Sequence, residues 1–530
     1  MIRIAVIADP HVHDCDWQPA GSGLRGAVRS FGDTAASTRV FNESLPAFRA
    51  ALDRTVAEGA RVVLLVGDLT DDGQAPNIAA ALALIADYRA RHGLRVLATP
   101  GNHDLYAVQG RPQDKTFLAG DGRPVLLRSA DCPEAATLGT AEALARMQGL
   151  GYRPEPGDLH WESPFGPDPD WSARAHEVIS PDGGTRCRMI DASYLVEPVP
   201  GLWVLSIDSN VCVPRDGAVD LSDPASFHDP TDGGWPAVLR HRAHLLPWMR
   251  DVAARAVQGG KHLVAFSHYP VLDVLGGTGE DELQAFGPTG LARRTPPPEV
   301  ARAFAATGVR LHFSGHLHVN DTALFRDAAG QGMFNVAVPS PVGFCPAMKI
   351  VDLDGPQVGI RSPLLADVPG HDHAFAAYRA EAAQLARPPS PACFAPDHGS
   401  FLDRHLIELV HSRYVPREWP QDMVDFLDRG RMADLVAVLG LPTEGAPDWP
   451  LWVLAEDWYR LRKGGALGLG YVASDRLAFY RRLCRDLPPV TGTGLAARLA
   501  AMLRILRGYL DRLPNEDFVL DLHGLTIRGR

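Results

Sequence analysis

The sequence predicts an α/β fold, because short apolar runs alternate along the chain with segments whose apolar residues recur at helical spacing. The apolar runs are nearly continuous, which is typical of strands that are buried on both faces of a sheet. We expect strands at residues 2–8, 61–66, 95–98, 202–207, 261–266, 309–313, 333–338 and 348–353. We expect helices between them at residues 45–58, 77–92, 239–257 and 299–306.

Three irregular stretches interrupt this alternation. Residues 105–196 are rich in Pro, Gly, Asp and Trp, and a segment of this length is seldom structureless within a compact domain. We therefore expect it to form a cap inserted in a first domain that spans residues 1–365. Residues 210–236 form a shorter irregular stretch, and residues 275–298 are expected to form a loop near the site.

The composition changes after about residue 365. A chain of 530 residues exceeds what one hydrophobic core usually organises, so we expect a second unit. Residues 366–530 are expected to form a mainly helical region whose role the sequence does not indicate. Its helices are expected at residues 374–387, 401–414, 422–439, 449–462, 475–487 and 495–513, between Pro and Gly segments.

Composition limits the classes of function. The formal net charge of -11 argues against a general affinity for nucleic acid, although a local basic channel is compatible with it. Seven cysteines without a C-x-x-C pair favour the reduced thiols of a cytoplasmic protein. The opening run, residues 2–8, is too short for a signal peptide or a membrane span, so we expect no membrane association.

Polar clusters follow five of the predicted strands. In chain order they are Asp9-Pro-His11, Gly67-Asp68-Leu-Thr-Asp-Asp-Gly73, Gly101-Asn102-His103-Asp104, Ser267-His268 and Gly315-His316-Leu-His318. Strand ends of this kind meet at one edge of an α/β sheet, where ligands bind. In extended chain, residues two apart project to the same side, so Asp9 can act with His11, and His316 with His318.

These residue types favour a transition-metal site. Imidazole, carboxylate and amide oxygen without thiolate suit Mn, Fe, Zn or Co. The candidate ligands are Asp9, His11, Asp68, Asn102, His268, His316 and His318. Seven candidates exceed the three or four protein ligands of a single zinc site, so the sequence predicts two metal ions. Two such ions can clamp the attacking and leaving oxygens of a displacement at phosphorus.

The ordered motifs D-x-H, G-D-x-x-D, G-N-H-D, H and G-H-x-H resemble those of the calcineurin-like metallophosphoesterase superfamily, within about residues 1–355. The cyclic-nucleotide phosphodiesterase branch is the most similar. The resemblance implies a β-sandwich of two sheets flanked by helices. Purple acid phosphatases carry a Tyr where this chain has Asp71, so a tyrosinate-to-iron site is not expected.

The resemblance also implies a role for each site residue. Asp9, His11, Asp68 and His318 would hold one metal, and Asp68 would bridge to a second one that Asn102, His268 and His316 complete. A hydroxide between the two metals would be the nucleophile. His103 would stabilise or protonate the leaving-group oxygen, and Asp104 would orient His103 through a carboxylate–imidazole contact.

Other readings of several residues remain open. His103 could be only an orienting residue, and Asp104 could simply cap the following turn. His13 lies two residues past His11 and could touch substrate, but an exposed loop histidine near the mouth of the site is the favoured reading. Asp71 and Asp72 could bind substrate or assist a metal, but turn formation before Gly73 explains them better. His371, His373 and His398 are expected at the surface.

These observations predict a cytoplasmic metal-dependent hydrolase of a small, nucleotide-like phosphate ester, either a diester or a monoester. One alternative is a metal-dependent nuclease, which would need a basic groove that holds a strand. The other is a non-catalytic, metal-binding interaction scaffold, against which the complete set of motif residues argues.

Overall fold

A computed structural model describes residues 1–530 and contains two large mixed β-sheets flanked by helices. The strands in chain order are β1 (Ile2–Ile7), β2 (Val62–Val66), β3 (Arg95–Thr99), β4 (Asp114–Leu118), β5 (Pro124–Arg128), β6 (His160–Glu162), β7 (Ala175–Ile179), β8 (Arg186–Ile190), β9 (Tyr194–Val199), β10 (Leu202–Ser206), β11 (His262–Phe266), β12 (Leu311–Ser314), β13 (Asp321–Arg326), β14 (Gly332–Ala337), β15 (Lys349–Asp354), β16 (Gln357–Arg361), β17 (Asp517–Asp521) and β18 (Thr526–Gly529). All eight predicted strands are confirmed.

Each large sheet has seven strands. The first has the order β18-β17-β16-β15-β1-β2-β3, and the second has the order β13-β14-β12-β11-β10-β9-β6. Residues of both sheets share one continuous hydrophobic core, as the α/β prediction and the two-sheet sandwich require. Strands β1, β2 and β3 run parallel, as do β10, β11 and β12, so the loops that follow them emerge on the same side of each sheet.

Nine α-helices precede residue 366. They are α1 (Phe31–Ala35), α2 (Ser44–Ala57), α3 (Ala75–His92), α4 (Thr140–Met147), α5 (Gly234–His241), α6 (Leu245–Gln258), α7 (Gly279–Phe286), α8 (Gly290–Arg294) and α9 (Pro298–Ala305). The single helix predicted at 239–257 is wrong, since α5 and α6 are separate there. Arg242 leaves helical geometry between them, and its buried guanidinium lies 2.8 Å from the Asp208 carboxylate. The loop expected at 275–298 contains α7 and α8.

The C-terminal region is mainly helical, as predicted. Its helices are α10 (Phe375–Gln384), α11 (His398–Leu409), α12 (Val415–Glu418), α13 (Gln421–Arg429), α14 (Met432–Val438), α15 (Trp452–Gly464), α16 (Ala466–Leu469), α17 (Ser474–Asp486) and α18 (Leu495–Leu510). They share a second hydrophobic core. The helix predicted at 422–439 is divided at Gly430, whose backbone is extended.

Two features connect the inserted and C-terminal segments to the sheets. Within residues 105–196, β4 pairs with β5 and β7 with β8, while β6 pairs with β9 at the edge of the second sheet. At the end of the chain, β17 pairs with β16 and extends the first sheet. The division at residue 366 stays a prediction. The last two strands, β17 and β18, follow that residue in the chain but belong to the first sheet.

No helix combines the length and the apolar character that crossing a bilayer requires.

Candidate metal centre

The backbone of the candidate ligands is unusual. Eight non-glycine residues have a positive φ, and five of them are candidate metal ligands: Asp9 (53°), His11 (44°), Asp68 (50°), His316 (68°) and His318 (49°). This left-handed region is uncommon for residues with a side chain, and such strain tends to accumulate at functional sites. The turns after β1, β2 and β12 therefore hold strained backbone where they present their polar side chains.

Asp9, His11 and His318 form one group of potential ligands, and all three are buried. Nε2 of His11 lies 3.1 Å from Nε2 of His318, and Nε2 of His318 lies 3.5 Å from Oδ1 of Asp9. Burial, followed by the charge of Arg39, holds the pKa of His11 well below its usual range. The ring of His11 is therefore neutral and has a lone pair for a cation.

Asp68, His268 and His316 form a second group. Nε2 of His268 lies 3.3 Å from Oδ2 of Asp68 and 3.2 Å from Nδ1 of His316. Asn102, which follows β3, places its Oδ1 3.0 Å from the same Nε2. The structure thus brings together all seven candidate ligands that the sequence predicted, in the two groups that the resemblance implied.

Asp68 lies between the two groups. Its Oδ2 is 3.7 Å from Nε2 of His11 and 3.3 Å from Nε2 of His268, where a bridging carboxylate must be. Burial would raise the pKa of Asp68, but the imidazoles of His268 and His103 hold it well below its usual range. Asp68 is therefore ionised, and the donor set of carboxylates, imidazoles and one amide fits two transition-metal ions.

Glycines let the chain approach these ligands closely. A Cβ atom at Gly101 would lie 2.1 Å from Oδ1 of Asp68, and one at Gly315 would lie 2.4 Å from Oδ2 of Asp9. No real Cβ atom tolerates such contacts. The glycines of G-N-H-D and G-H-x-H are therefore required by the packing of carboxylates against backbone.

His103 is the one predicted catalytic residue whose ring reaches the solvent edge of the centre, with 23% of its side chain exposed. Its backbone N–H donates to Oδ1 of Asp68 at 2.8 Å, and its ring centroid lies 5.1 Å from that of His11. Its Nδ1 lies 2.6 Å from Oδ1 of Asp72. The carboxylate that contacts His103 is thus Asp72.

The predicted contact between Asp104 and His103 is wrong. The Asp104 carboxylate accepts hydrogen bonds from the backbone N–H of Gly101 at 2.9 Å and that of Thr70 at 3.0 Å. Burial, followed by the negative charge of Asp68, raises the pKa of Asp104 to about 6. Asp104 therefore connects the turn after β3 to the loop after β2, since its carboxylate oxygens accept from these two amides rather than from the imidazole of His103.

Asp71 and Asp72 do more than form a turn. Both carboxylates lie in a buried ionic network, in which Nζ of Lys115 is 2.5 Å from Oδ2 of each. Nη2 of Arg39 donates to Oδ1 of Asp71 at 2.8 Å and lies 3.2 Å from Nδ1 of His103. Sequence analysis missed Arg39 and Lys115, which belong to no motif. The adjacent acidic pair was the one available signal, since buried carboxylates need cationic partners.

Two histidine predictions are also wrong. His13 is 2% exposed, with its Nε2 2.6 Å from the carbonyl of Ala27, and so does not line the mouth of the site. His398 is fully buried, with its Nε2 2.8 Å from the carbonyl of Pro341, whereas His373 is exposed as predicted. Both errors concern histidines whose rings find a backbone carbonyl inside the protein.

The chain shows the following similarities to known proteins. The family model for calcineurin-like phosphoesterases matches residues 2–163, which confirms the resemblance over that part of the chain. No curated protein matches the chain.

Three solved structures show distant similarity. A dimetal phosphatase from Danio rerio is 13% identical, with 69% of this chain and 96% of that chain covered and a TM-score of 0.36. The sulfate thiohydrolase SoxB from Thermus thermophilus is 13% identical, with 72% of this chain and 60% of that chain covered and a TM-score of 0.29. The NAD nucleotidase from Haemophilus influenzae is 12% identical, with 68% of this chain and 47% of that chain covered and a TM-score of 0.28. At such low identities and TM-scores, these similarities support no conclusion about what the chain does.

Proposed function

Because residues 2–163 match the calcineurin-like phosphoesterases, we propose that the chain is a dinuclear metal-dependent hydrolase of phosphate esters that acts on a small, nucleotide-like substrate. The observation that carries the proposal is the position of Asp68 between two groups of Asp and His donors. A shared carboxylate is what two neighbouring cations need.

The two ions would be held by Asp9, His11 and His318 on one side and by Asn102, His268 and His316 on the other, with Asp68 between them. Transition-metal ions such as Mn, Fe, Zn or Co would supply positive charge for the phosphate oxygens and lower the pKa of water. The candidate ligands already lie close together, so binding of the ions would need little reorganisation.

His103 would act at the leaving group. Its backbone N–H donates a hydrogen bond to the Asp68 carboxylate, and its ring is the part of the G-N-H-D motif that solvent reaches. A histidine in this position can give a proton to the leaving oxygen as the phosphorus–oxygen bond breaks, a contribution of about 10²–10⁴-fold in general acid catalysis.

The burial of the ligands supports a small substrate. Among the seven candidate ligands only His316 is partly exposed, so the centre is recessed. The net charge of -11 also disfavours long nucleic acid. Free cysteines throughout the chain support a cytoplasmic location, which is part of this proposal.

The test is a panel of esters assayed with protein of known metal content. It contains p-nitrophenyl phosphate, its bis-ester, cyclic nucleotides and single-stranded DNA, each with and without added Mn or Zn. We expect metal-dependent hydrolysis of at least one small ester, and its loss in Asp68→Asn. Preferential cleavage of single-stranded DNA would make the chain a nuclease. Absence of metal-dependent hydrolysis across the panel would refute the proposed function.

A further inference from the structure

We propose that Asp72 is the positioning residue of His103, and that Lys115 of the inserted β4–β5 hairpin holds Asp72 in place. The inference rests on the proposed function and deepens it. The contact between Nδ1 of His103 and Oδ1 of Asp72 measures 2.6 Å, within the range of a strong, charge-assisted hydrogen bond. Asp72 belongs to the loop after β2, and turn formation before Gly73 was the favoured prediction for it.

The contact determines which nitrogen of His103 faces the substrate. An ionised Asp72 carboxylate can accept a hydrogen bond but cannot donate one, so Nδ1 of His103 carries the donated hydrogen. Burial would raise the pKa of Asp72, but the charge of Lys115, followed by the contact with His103, holds it well below its usual range. Nε2 is then the nitrogen without a carboxylate partner, and in the imidazolium form of the ring it carries the proton that a leaving oxygen can take.

Arg39 does not compete with Asp72 for the hydrogen on Nδ1 of His103. Its Nη2 lies 3.2 Å from Nδ1 of His103 and its Nη1 lies 3.5 Å from Nε2, so the guanidinium lies alongside the imidazole. A guanidinium has no acceptor and cannot take the hydrogen of Nδ1. That hydrogen therefore goes to Asp72, and the positive charge of Arg39 adds to the electrostatic field at the ring.

Lys115 fixes the other oxygen of the same carboxylate. Its Nζ lies 2.5 Å from Oδ2 of Asp72 and 2.5 Å from Oδ2 of Asp71, and 5% of its side chain is exposed. Because each oxygen of Asp72 has its own partner, the carboxylate cannot rotate away from His103. The hairpin inserted after the G-N-H-D motif is thereby connected to the ring that this motif supplies.

The chemical consequence concerns the leaving group. Hydrolysis joins a water oxygen to phosphorus and breaks the bond from phosphorus to the leaving oxygen, which keeps the electron pair. The proton at Nε2 of His103 moves to that oxygen, and the water releases a proton to solvent, from which His103 is protonated again. An alkoxide needs this proton far more than p-nitrophenolate does. Correct placement of the ring therefore matters most for esters with poor leaving groups.

The experiment compares Asp72→Asn with wild type on two esters of one phosphate type, one with p-nitrophenol and one with an alkyl alcohol as leaving group. We expect kcat for the alkyl ester to fall about a hundredfold and kcat for the p-nitrophenyl ester to fall less than about threefold. KM and the metal content should stay unchanged. In a His103→Ala background, Asp72→Asn should have no further effect on either ester.

Two further variants keep the proposal falsifiable. Lys115→Met should show the same selective loss to a smaller degree, and Asp72→Glu should restore part of the lost rate. Asp104→Asn is the matched control, because Asp104 does not contact His103, and any loss it causes should be equal for both esters. Equal losses on both esters in Asp72→Asn, or a further loss in the His103→Ala background, would overturn the proposal. If wild type hydrolyses neither ester with metal present, the proposed function fails instead.

Discussion

Nζ of Lys463 donates a hydrogen bond to the Leu317 carbonyl, 2.9 Å away, inside the segment that carries His316 and His318. Asn320, just beyond that segment, adds two bonds: its backbone N–H donates to Lys463 O at 2.8 Å and its side chain to Gly464 O at 3.1 Å. The C-terminal end of α15 thus fixes the loop that supplies a ligand to each metal group.

The first prediction concerns this contact. Lys463→Met keeps most of the side-chain volume but removes the donor, so the loop after β12 should hold His316 and His318 less firmly. Because supporting contacts of metal ligands are worth about 10–100-fold in affinity, we expect both metals to bind at least about tenfold more weakly. Metal retention against a series of chelator concentrations measures the effect.

Lys261→Met is the matched control for this variant. Lys261 precedes β11, at the opposite end of that strand from His268, and pairs with Glu197 at 2.7 Å. Its substitution should leave metal retention unchanged. Equal retention in Lys463→Met and Lys261→Met would show that α15 does not support the centre.

The second prediction distinguishes the bridging carboxylate from a terminal one. Asp68→Asn removes the negative charge between the two groups, so both ions should be lost and activity should fall to background. Asp9→Asn weakens only the group of His11 and His318, so about one ion should remain. Elemental analysis of metal per chain measures both variants. Retention of two ions in Asp68→Asn would contradict the bridging position.

The third prediction concerns the close approach at Gly101. A Cβ atom there would lie 2.1 Å from Oδ1 of Asp68 and 2.3 Å from its backbone nitrogen, and a side-chain rotation cannot relieve the second contact. Gly101→Ala should therefore displace Asp68 and abolish metal-dependent hydrolysis, as assays with saturating metal will show. Gly120→Ala, in the turn between β4 and β5, meets nothing within 4 Å and should retain full activity.

The fourth prediction concerns the pH dependence of stability. Burial raises the pKa of Glu43 from 4.5 to about 8, while its Oε1 accepts a hydrogen bond from the Tyr378 hydroxyl at 3.0 Å. The folded state therefore binds a proton that the unfolded state releases between these two pH values. The contribution of Glu43 to the free energy of unfolding is fully present below pH 4.5 and is lost as the pH rises towards 8, by up to about 1.4 kcal/mol per pH unit.

Glu43→Gln removes this titration while it keeps the shape and the acceptor. Relative to wild type, the variant should have a similar Tm at pH 5 and a higher Tm at pH 8, measured by thermal unfolding across that range. A difference in Tm that does not change with pH would show that Glu43 does not titrate in this way.

Most of the fold, and the convergence of the seven candidate ligands at one centre, could be predicted from the sequence. Each of the motifs lies directly after an apolar strand, and parallel strands bring their ends to one edge, so local patterns were sufficient. The positions of Asp68 and His268 illustrate this, since 200 residues separate them in the chain and 3.3 Å separates their side chains. The helical breaks at Arg242 and Gly430 were missed because they depend on tertiary contacts and loop geometry.

The sequence by itself determined which residues could bind metal, because strand-end motifs carry their chemistry locally. Only the tertiary structure decided which carboxylate contacts the ring of His103. Asp104 is next to it in the chain, but its oxygens are satisfied by the amides of Gly101 and Thr70, so Asp72 takes the contact from another loop. The contacts of Lys115 with Asp72 and of Lys463 with the Leu317 carbonyl could not be predicted from the sequence either. They come from segments that are distant from the motifs in the chain and meet them only in the folded protein.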